Sequence, residues 1–282
     1  MELTNPTVIR ALFEKHGFDF SKTLGQNFLI NKNIPAKIAE AALSERGGTV
    51  LEIGTGIGCL TKELCRRADM VYAYEIDRGL APILDETLAE FPNKKIIFED
   101  ILKADIRGLC EENGIESLSV CANLPYYITT PIIMTLLEND YPITSITVMV
   151  QKELAQRFCS KAGGKDYGSV TASINYYAKV SSLFNVSAGS FMPAPKVDST
   201  VIRLEIIPES ERIPVKDKET LFRVIRAAFA MRRKTLVNNL SSEFGMTKEK
   251  AAEIIAAAGF ETNIRGEALS LADFAKISDF IC

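Results

Sequence analysis

The sequence predicts an α/β protein: a Rossmann-like, mostly parallel sheet covered by helices on both faces, followed by a small all-helical domain. Three observations carry this expectation. Short apolar runs at 49–53, 70–75, 95–99, 118–122 and 145–151 alternate with helix-period segments such as 60–67, 80–91 and 131–138. Continuous apolar strands separated by helices are what a parallel sheet buried on both faces requires. Two further runs, 183–187 and 201–207, follow each other with no clear helix between them, so a hairpin is expected to close one edge of the sheet. Beyond that, residues 208–218 are polar, carry two prolines and read as a linker. From residue 219 the pattern is purely helical, over 221–240, 248–258 and 271–281, with Gly259 as a helix stop and Ser270 as a cap. The expected domains are therefore 1–207 and 208–282.

The 282 residues include 33 Lys+Arg and 36 Asp+Glu, a net charge of −3, and 47% are hydrophobic. Such a chain can bury a core and is not mainly disordered. The charge excludes a uniformly basic nucleic-acid coat while leaving room for a local basic patch. Six cysteines contain no C-x-x-C pair and only one histidine accompanies them, so no metal is expected. Scattered thiols, no signal-peptide layout at the start and no apolar run of roughly 18 residues point to a cytoplasmic protein without a membrane segment. His16 sits in a helical pattern with Val8, Ile9, Leu12 and Phe13. It reads as structural, so the chemistry must largely do without imidazole.

The glycine run Glu52-Ile53-Gly54-Thr55-Gly56-Ile57-Gly58 follows the first expected strand and precedes a helix. Gly54 and Gly56 there permit a sharp turn and close approach of a ligand to the backbone. Glu75 ends the next strand, 21 residues after Gly54, where a carboxylate accepts hydrogen bonds from the ribose hydroxyls of an adenosine-containing cofactor. The third glycine comes four positions after the first, whereas a dinucleotide fingerprint places it at five. S-adenosylmethionine has no pyrophosphate to seat, so the spacing favours a methyl donor over NAD. Asp100, just past the third strand, is a second carboxylate at the same sheet edge, suited to the adenine amine and equally suited to capping a turn.

Asn123-Leu124-Pro125-Tyr126 follows the fourth strand. The exocyclic amine of adenine is a poor nucleophile because its lone pair is delocalised into the ring. An Asn oxygen and a nearby backbone carbonyl, as of Leu124, accept its two N–H groups and turn the lone pair toward a methyl group. Pro125 stiffens the turn. Tyr126 offers a flat ring for a base to stack on, a contact worth about 1–3 kcal/mol.

These segments, together with Leu24-Gly25-Gln26-Asn27-Phe28-Leu29, Glu75-Ile76-Asp77 and the run from Phe191-Met192-Pro193-Ala194-Pro195 to Lys196-Val197-Asp198-Ser199, resemble the ribosomal RNA adenine N6,N6-dimethyltransferases of the bacterial small-subunit kind (the KsgA/RsmA type). The resemblance implies a class I methyltransferase fold whose sheet ends in an antiparallel strand. It implies S-adenosylmethionine as methyl donor, contacted by Asn27, Leu29, Gly54, Glu75, Asp100 and Asn123. It implies as substrate two adjacent adenosines in a hairpin loop near the 3′ end of 16S rRNA, in a precursor small ribosomal subunit, with Tyr126 and Phe191 enclosing the target base. A monomer is expected. Glu99 stands where this family would have Gly. Two alternatives stay open: a 23S rRNA dimethyltransferase of the macrolide-resistance kind, and a ribosome-assembly factor whose catalysis is secondary. An NAD-dependent dehydrogenase is disfavoured by the glycine spacing and the lack of a catalytic histidine.

Between Thr220 and Ser242 there are five basic residues, Arg223, Arg226, Arg232, Arg233 and Lys234, and no acidic one. On a single helix Arg223, Arg226 and Arg233 would lie near one face, and a cationic face suits the phosphate backbone of structured RNA.

Overall fold

The computed structural model describes residues 1–19, 25–43 and 45–282. In chain order the first elements are α1 (Pro6–His16), β1 (Phe28–Leu29), α2 (Asn33–Ala42), β2 (Thr49–Ile53), α3 (Cys59–Cys65), β3 (Met70–Glu75) and α4 (Ala81–Thr87). There follow β4 (Lys94–Phe98), α5 (Ile106–Asn113), β5 (Leu118–Asn123), α6 (Thr129–Glu138), β6 (Ile143–Gln151) and α7 (Lys152–Phe158). The remainder is α8 (Ser169–Tyr177), β7 (Ala178–Val186), β8 (Phe191–Met192), β9 (Ser199–Ile206), α9 (Lys218–Ala230), α10 (Leu236–Phe244), α11 (Lys248–Ala257) and α12 (Leu271–Asp279).

The chain forms two compact units, one of Met1–Ala155 with Ser181–Ile206, the other of Gln156–Val180 with Ile207–Cys282. The seven-stranded sheet has the order β4-β3-β2-β5-β6-β9-β7. Pairs β2–β3, β3–β4, β2–β5 and β5–β6 are parallel, and β9 runs antiparallel to β6. This is the Rossmann-like, mostly parallel arrangement expected from the alternating runs, with the last two strands as neighbours at one edge. The inner strands are buried on both faces, as their apolar runs require: in β2, Val50, Leu51 and Ile53 are each 5% exposed or less, whereas the edge strands β4 and β7 are largely half-buried or exposed.

One apolar layer joins Ile38, Ala39 and Ala42 of α2 and Leu60 and Leu64 of α3 to Val50, Val71, Cys121, Met149 and Val201 of the sheet. A second joins Ile9, Leu12 and Phe13 of α1 to Ile83 and Leu84 of α4 and to Phe28 and Ile57. Full burial of each such side chain is worth about 1.5–3 kcal/mol, which holds the N-terminal segment against the sheet. α1 starts cleanly because Asn5 accepts the Thr7 N–H at 2.9 Å and Pro6 occupies its first turn. The short strands β1 and β8 pair antiparallel, Leu29 opposite Phe191.

In the second unit α8 contributes an aromatic face. The Tyr177 ring stacks on Phe222 at 5.6 Å, Tyr176 meets the same ring edge-on at 5.5 Å, and Tyr167 meets Phe229 at 5.5 Å. These rings bury together, which groups 156–180 with the C-terminal helices, although the sequence reading assigned that stretch to the first domain. Ser270 caps α12 through a reciprocal pair with Asp273, and Gly259 follows α11 with φ at 85°. The helix expected over 221–240 is two helices. α9 ends at Ala230, the Asn239 amide donates to the Ala228 and Met231 carbonyls at 3.3 and 3.4 Å, and α10 begins at Leu236. Asn239 thus satisfies carbonyls at the end of α9 that a continuous helix would have used itself.

Candidate active site

Parallel strands in level register deliver their carboxyl ends to one edge. Ile53 lies opposite both Tyr74 and Ala122, and Glu75 lies opposite Phe98. Gly54, Glu75, Asp100 and Asn123 must therefore emerge side by side, as ligand-binding residues do in open α/β sheets. They line one solvent-open cleft with Gly56, Leu124, Tyr126, Asn27, Leu29 and Phe191. The β1–β8 pair brings the last three of these to the strand ends. Leu24, the first residue of its motif, lies outside the described residues.

The loop after β2 needs glycine. Gly54, Gly56 and Gly58 have φ of 80°, 56° and 89°, a region that costs side-chain-bearing residues energy. A Cβ on Gly58 would also meet Leu88 at 3.0 Å, and one on Gly56 the Phe28 ring at 3.4 Å. Glu75 is 6% exposed. Its oxygens accept the Gly56 N–H at 2.8 Å and the Asp77 N–H at 3.0 Å, one each, which leaves acceptor capacity on both. Burial raises its pKa above the ordinary 4.5, opposed by those two N–H groups. Asp100 accepts the Leu102 N–H on Oδ1 at 3.1 Å. The Asn27 amide donates to the Gly25 carbonyl at 2.9 Å.

After β5 the Pro125 carbonyl takes the Ile128 N–H at 3.3 Å and the Thr129 hydroxyl at 3.1 Å. Among the described residues the neighbouring Leu124 carbonyl and the Asn123 side-chain amide have no hydrogen-bond partner. The chain therefore spends one carbonyl on starting α6 and leaves an adjacent carbonyl and amide at the cleft. Tyr126 is half-buried with its hydroxyl 2.8 Å from Ser199 Oγ, and Phe191 is 3% exposed. His16 lies elsewhere, 2.7 Å from Glu86, and does not line the cleft.

Several lining residues lie outside the expected site set, Ile76, Ile101 and Tyr127 among them. Ile76, 54% exposed directly after Glu75, and Ile101, directly after Asp100, add apolar walls, and Tyr127, 64% exposed, stands at the rim. The sequence carried a partial signal, since each is a large apolar or aromatic residue within four positions of a strand end, but Ile101 is buried and so looks like an ordinary core residue.

Glu52 lies two residues before Gly54, fully buried, and neither carboxyl oxygen has a hydrogen-bond partner among the described residues. Burial lifts its pKa from 4.5 to about 8, and the Glu75 charge adds to the rise. The fold thus accepts the protonated acid. Its contribution to stability is complete at low pH and is lost as pH rises from the unfolded value of 4.5 through the folded value of about 8. Glu52→Gln, neutral at every pH, should show a melting-temperature advantage over the parent that widens from about pH 5 to about pH 9. A thermal-unfolding series in which that gap stays flat would rule out a protonated Glu52.

The basic residues do not share one helix face. Arg223 on α9 pairs with Glu243 at 3.3 Å and covers the Phe244 ring at 4.3 Å. Arg232, in the turn after α9, donates to the carbonyls of Lys165 and Tyr167 at 3.2 and 3.4 Å and lies 3.6 Å from Glu267. Arg226, Arg233 and Lys234 are exposed and have no acidic partner among the described residues. Among the described residues there is no cluster of three or more His, Cys, Asp or Glu side chains able to hold a metal, and no helix long and apolar enough to cross a membrane.

The ribosomal RNA adenine dimethylase model matches residues 17–281. Ribosomal RNA small subunit methyltransferase A of Anoxybacillus flavithermus is 47% identical over 99% of this chain and 96% of its own length. The protein of the same name from Shouchella clausii is 45% identical over 99% and 95%. Among solved structures, a dimethyladenosine transferase from Plasmodium falciparum superposes with a TM-score of 0.74 at 24% identity, over 88% of this chain and 95% of that one. The 23S rRNA methyltransferase ErmE does so at 0.68 and 26% identity, over 90% and 99%. With its parallel sheet, its glycine loop and a match that runs through nearly the whole sequence, the chain belongs to the ribosomal RNA adenine dimethylase family.

Proposed function

We propose that this chain transfers two methyl groups to N6 of each of two adjacent adenosines in a hairpin loop near the 3′ end of 16S rRNA, acting in the cytoplasm as a monomer, without metal, on a precursor small ribosomal subunit. The observation that carries the reading is the meeting, in one cleft, of the Asn123 amide and Leu124 carbonyl, unpartnered among the described residues, with the Glu75 carboxylate and the glycine loop.

S-adenosylmethionine supplies the methyl group when bound. The residues present fit it: Gly54 and Gly56 present bare backbone to the cleft, and Glu75 keeps acceptor capacity for a ribose diol. Asp100 would accept from the adenine amine, Asn27 and Leu29 would close the cleft from the N-terminal segment, and Ile76 and Ile101 would exclude water from the purine faces. Asn123 Oδ1 and the Leu124 carbonyl would each accept one N–H of the target amine, holding its lone pair out of conjugation with the ring. Tyr126 and Phe191 would enclose the base, offsetting the few kcal/mol lost on unstacking it. The nucleophile is the neutral amine, so no histidine base is needed to begin; each transfer replaces one N–H by N–CH3 and releases that proton to water, and at the second transfer a single N–H remains for one of the two acceptors.

The relatives at 45–47% identity carry a small-subunit name, while ErmE, at 26%, carries a 23S name, which favours 16S rRNA over 23S rRNA. Mass-spectrometric mapping of dimethyladenosine in rRNA from cells with and without the protein tests the choice. Loss of an adjacent modified pair from 16S rRNA is expected. Loss from 23S rRNA would favour the resistance-type alternative, and an unchanged map would leave assembly without methylation.

Basic residues of the second unit, Arg223, Arg226, Arg232, Arg233 and Lys234, would contact RNA phosphates, with Arg226, Arg233 and Lys234 the freest to do so. Arg233→Ala with Lys234→Ala should weaken binding to precursor particles and shrink the slope of log affinity against log salt by about one to two units, at roughly 0.7–0.9 per lost contact. S-adenosylmethionine affinity should not move, because the cleft is lined by first-unit residues alone. Particle binding across a salt series checks this, and an unchanged slope would make these side chains an ordinary solvated surface.

A further inference from the structure

We propose that Ser199 is a positioning residue for methyl transfer: its hydroxyl, held against the phenol of Tyr126, sets the plane of that ring relative to Phe191 and so the slot that receives the target base. The proposal rests on the reading of Tyr126 as the ring on which the base stacks. Ser199 is fully buried, and its Oγ lies 2.8 Å from the Tyr126 hydroxyl, where either group can donate. The serine cannot follow the ring if the ring swings. It opens β9 in register with Gln151 of β6. The preceding residue, Asp198, accepts the Ala188 N–H on Oδ1 at 2.9 Å and the Lys152 N–H on its carbonyl at 3.0 Å.

The Asp198–Ala188 bond also closes the segment that carries Phe191, and Phe191 is fixed in turn by pairing with Leu29. The tether of one ring and the backbone of the other thus belong to the same closed segment, so the spacing of the two rings is determined locally. A phenol half-removed from water needs its partner. Without Ser199 Oγ the ring keeps its apolar contacts and loses its angular restraint. A stack that forms in the wrong plane costs rate, since reaction depends steeply on orientation, while cofactor contacts are untouched.

The test is a double-mutant cycle on methylation kinetics with small-subunit particles as substrate, using Ser199→Ala, Tyr126→Phe, the two combined, and Ser199→Thr. Each single variant should lower kcat by about fivefold to tenfold, the size of one net hydrogen bond. The combined variant should lose no more than either single one, Ser199→Thr should recover most of the rate, and S-adenosylmethionine affinity by calorimetry should stay constant. Losses that multiply in the combined variant, or a Ser199→Ala enzyme of full rate, would overturn the tether. Tyr126→Ala separates the two ideas. Full activity there would overturn the stacking reading itself, whereas a crippled Tyr126→Ala enzyme beside multiplying losses would overturn the Ser199 proposal alone.

Discussion

Asn123→Ala should lower the methylation rate by about 10²-fold or more, the usual loss when a hydrogen bond that strengthens in the transition state is removed. The side-chain amide stands at the carboxyl end of β5 with no partner among the described residues, beside the equally unpartnered Leu124 carbonyl. Two acceptors at that spot can take both protons of an amine, and the benefit grows as the nitrogen becomes tetrahedral. Binding of S-adenosylmethionine should fall much less, because Glu75, Asp100 and the glycine loop remain. Single-turnover rates beside calorimetric titration of the same variant separate the effects. Equal losses in both would make Asn123 mainly a cofactor ligand.

Glu75→Ala should weaken S-adenosylmethionine binding by tenfold or more. A hydrogen bond to a charged acceptor is worth about 1.5–3 kcal/mol, and about 1.4 kcal/mol is tenfold in affinity. Glu75 also shapes the loop through the Gly56 and Asp77 N–H groups, so Glu75→Gln, which keeps one acceptor oxygen, should lose less. The buried carboxyl has a raised pKa, so affinity in the parent should decline as pH falls through that value and protonation removes an acceptor. Unchanged affinity in Glu75→Ala would take this residue out of the site.

Much of the cleft was legible in the sequence because its parts are local. A glycine triplet whose φ values all lie between 56° and 89° can be recognised from residue type. An acid at the end of one apolar run and Asn-Leu-Pro-Tyr at the end of another are read directly, and parallel topology then places them together without further information. The helical domain was less legible. The 221–240 pattern looked like one helix because its apolar period continues through the turn. What ends α9 is Asn239, reaching back to carbonyls eight and eleven residues earlier. The basic stretch read as one face for the same reason. The partners of Arg223 and Arg232 are Glu243 and Glu267, outside the acid-free window that made the stretch conspicuous.

Hydrophobic periodicity and backbone-special residues act over a few positions, so the amino-acid sequence suffices for the five alternating strands, to within two residues at each limit, and for the residues at their ends. How the distant segments close on the cleft is visible only in the folded chain. The β1–β8 pair joins Leu29 to Phe191, the Ser199 hydroxyl meets a phenol 73 residues away, and α8 leaves the sheet unit to share an aromatic core with α9. Those contacts depend on packing between surfaces that form only once the sheet exists. No local preference of Ser199 or Tyr177 points to its partner, since a hydroxyl or a ring pairs with whatever complementary group burial places beside it.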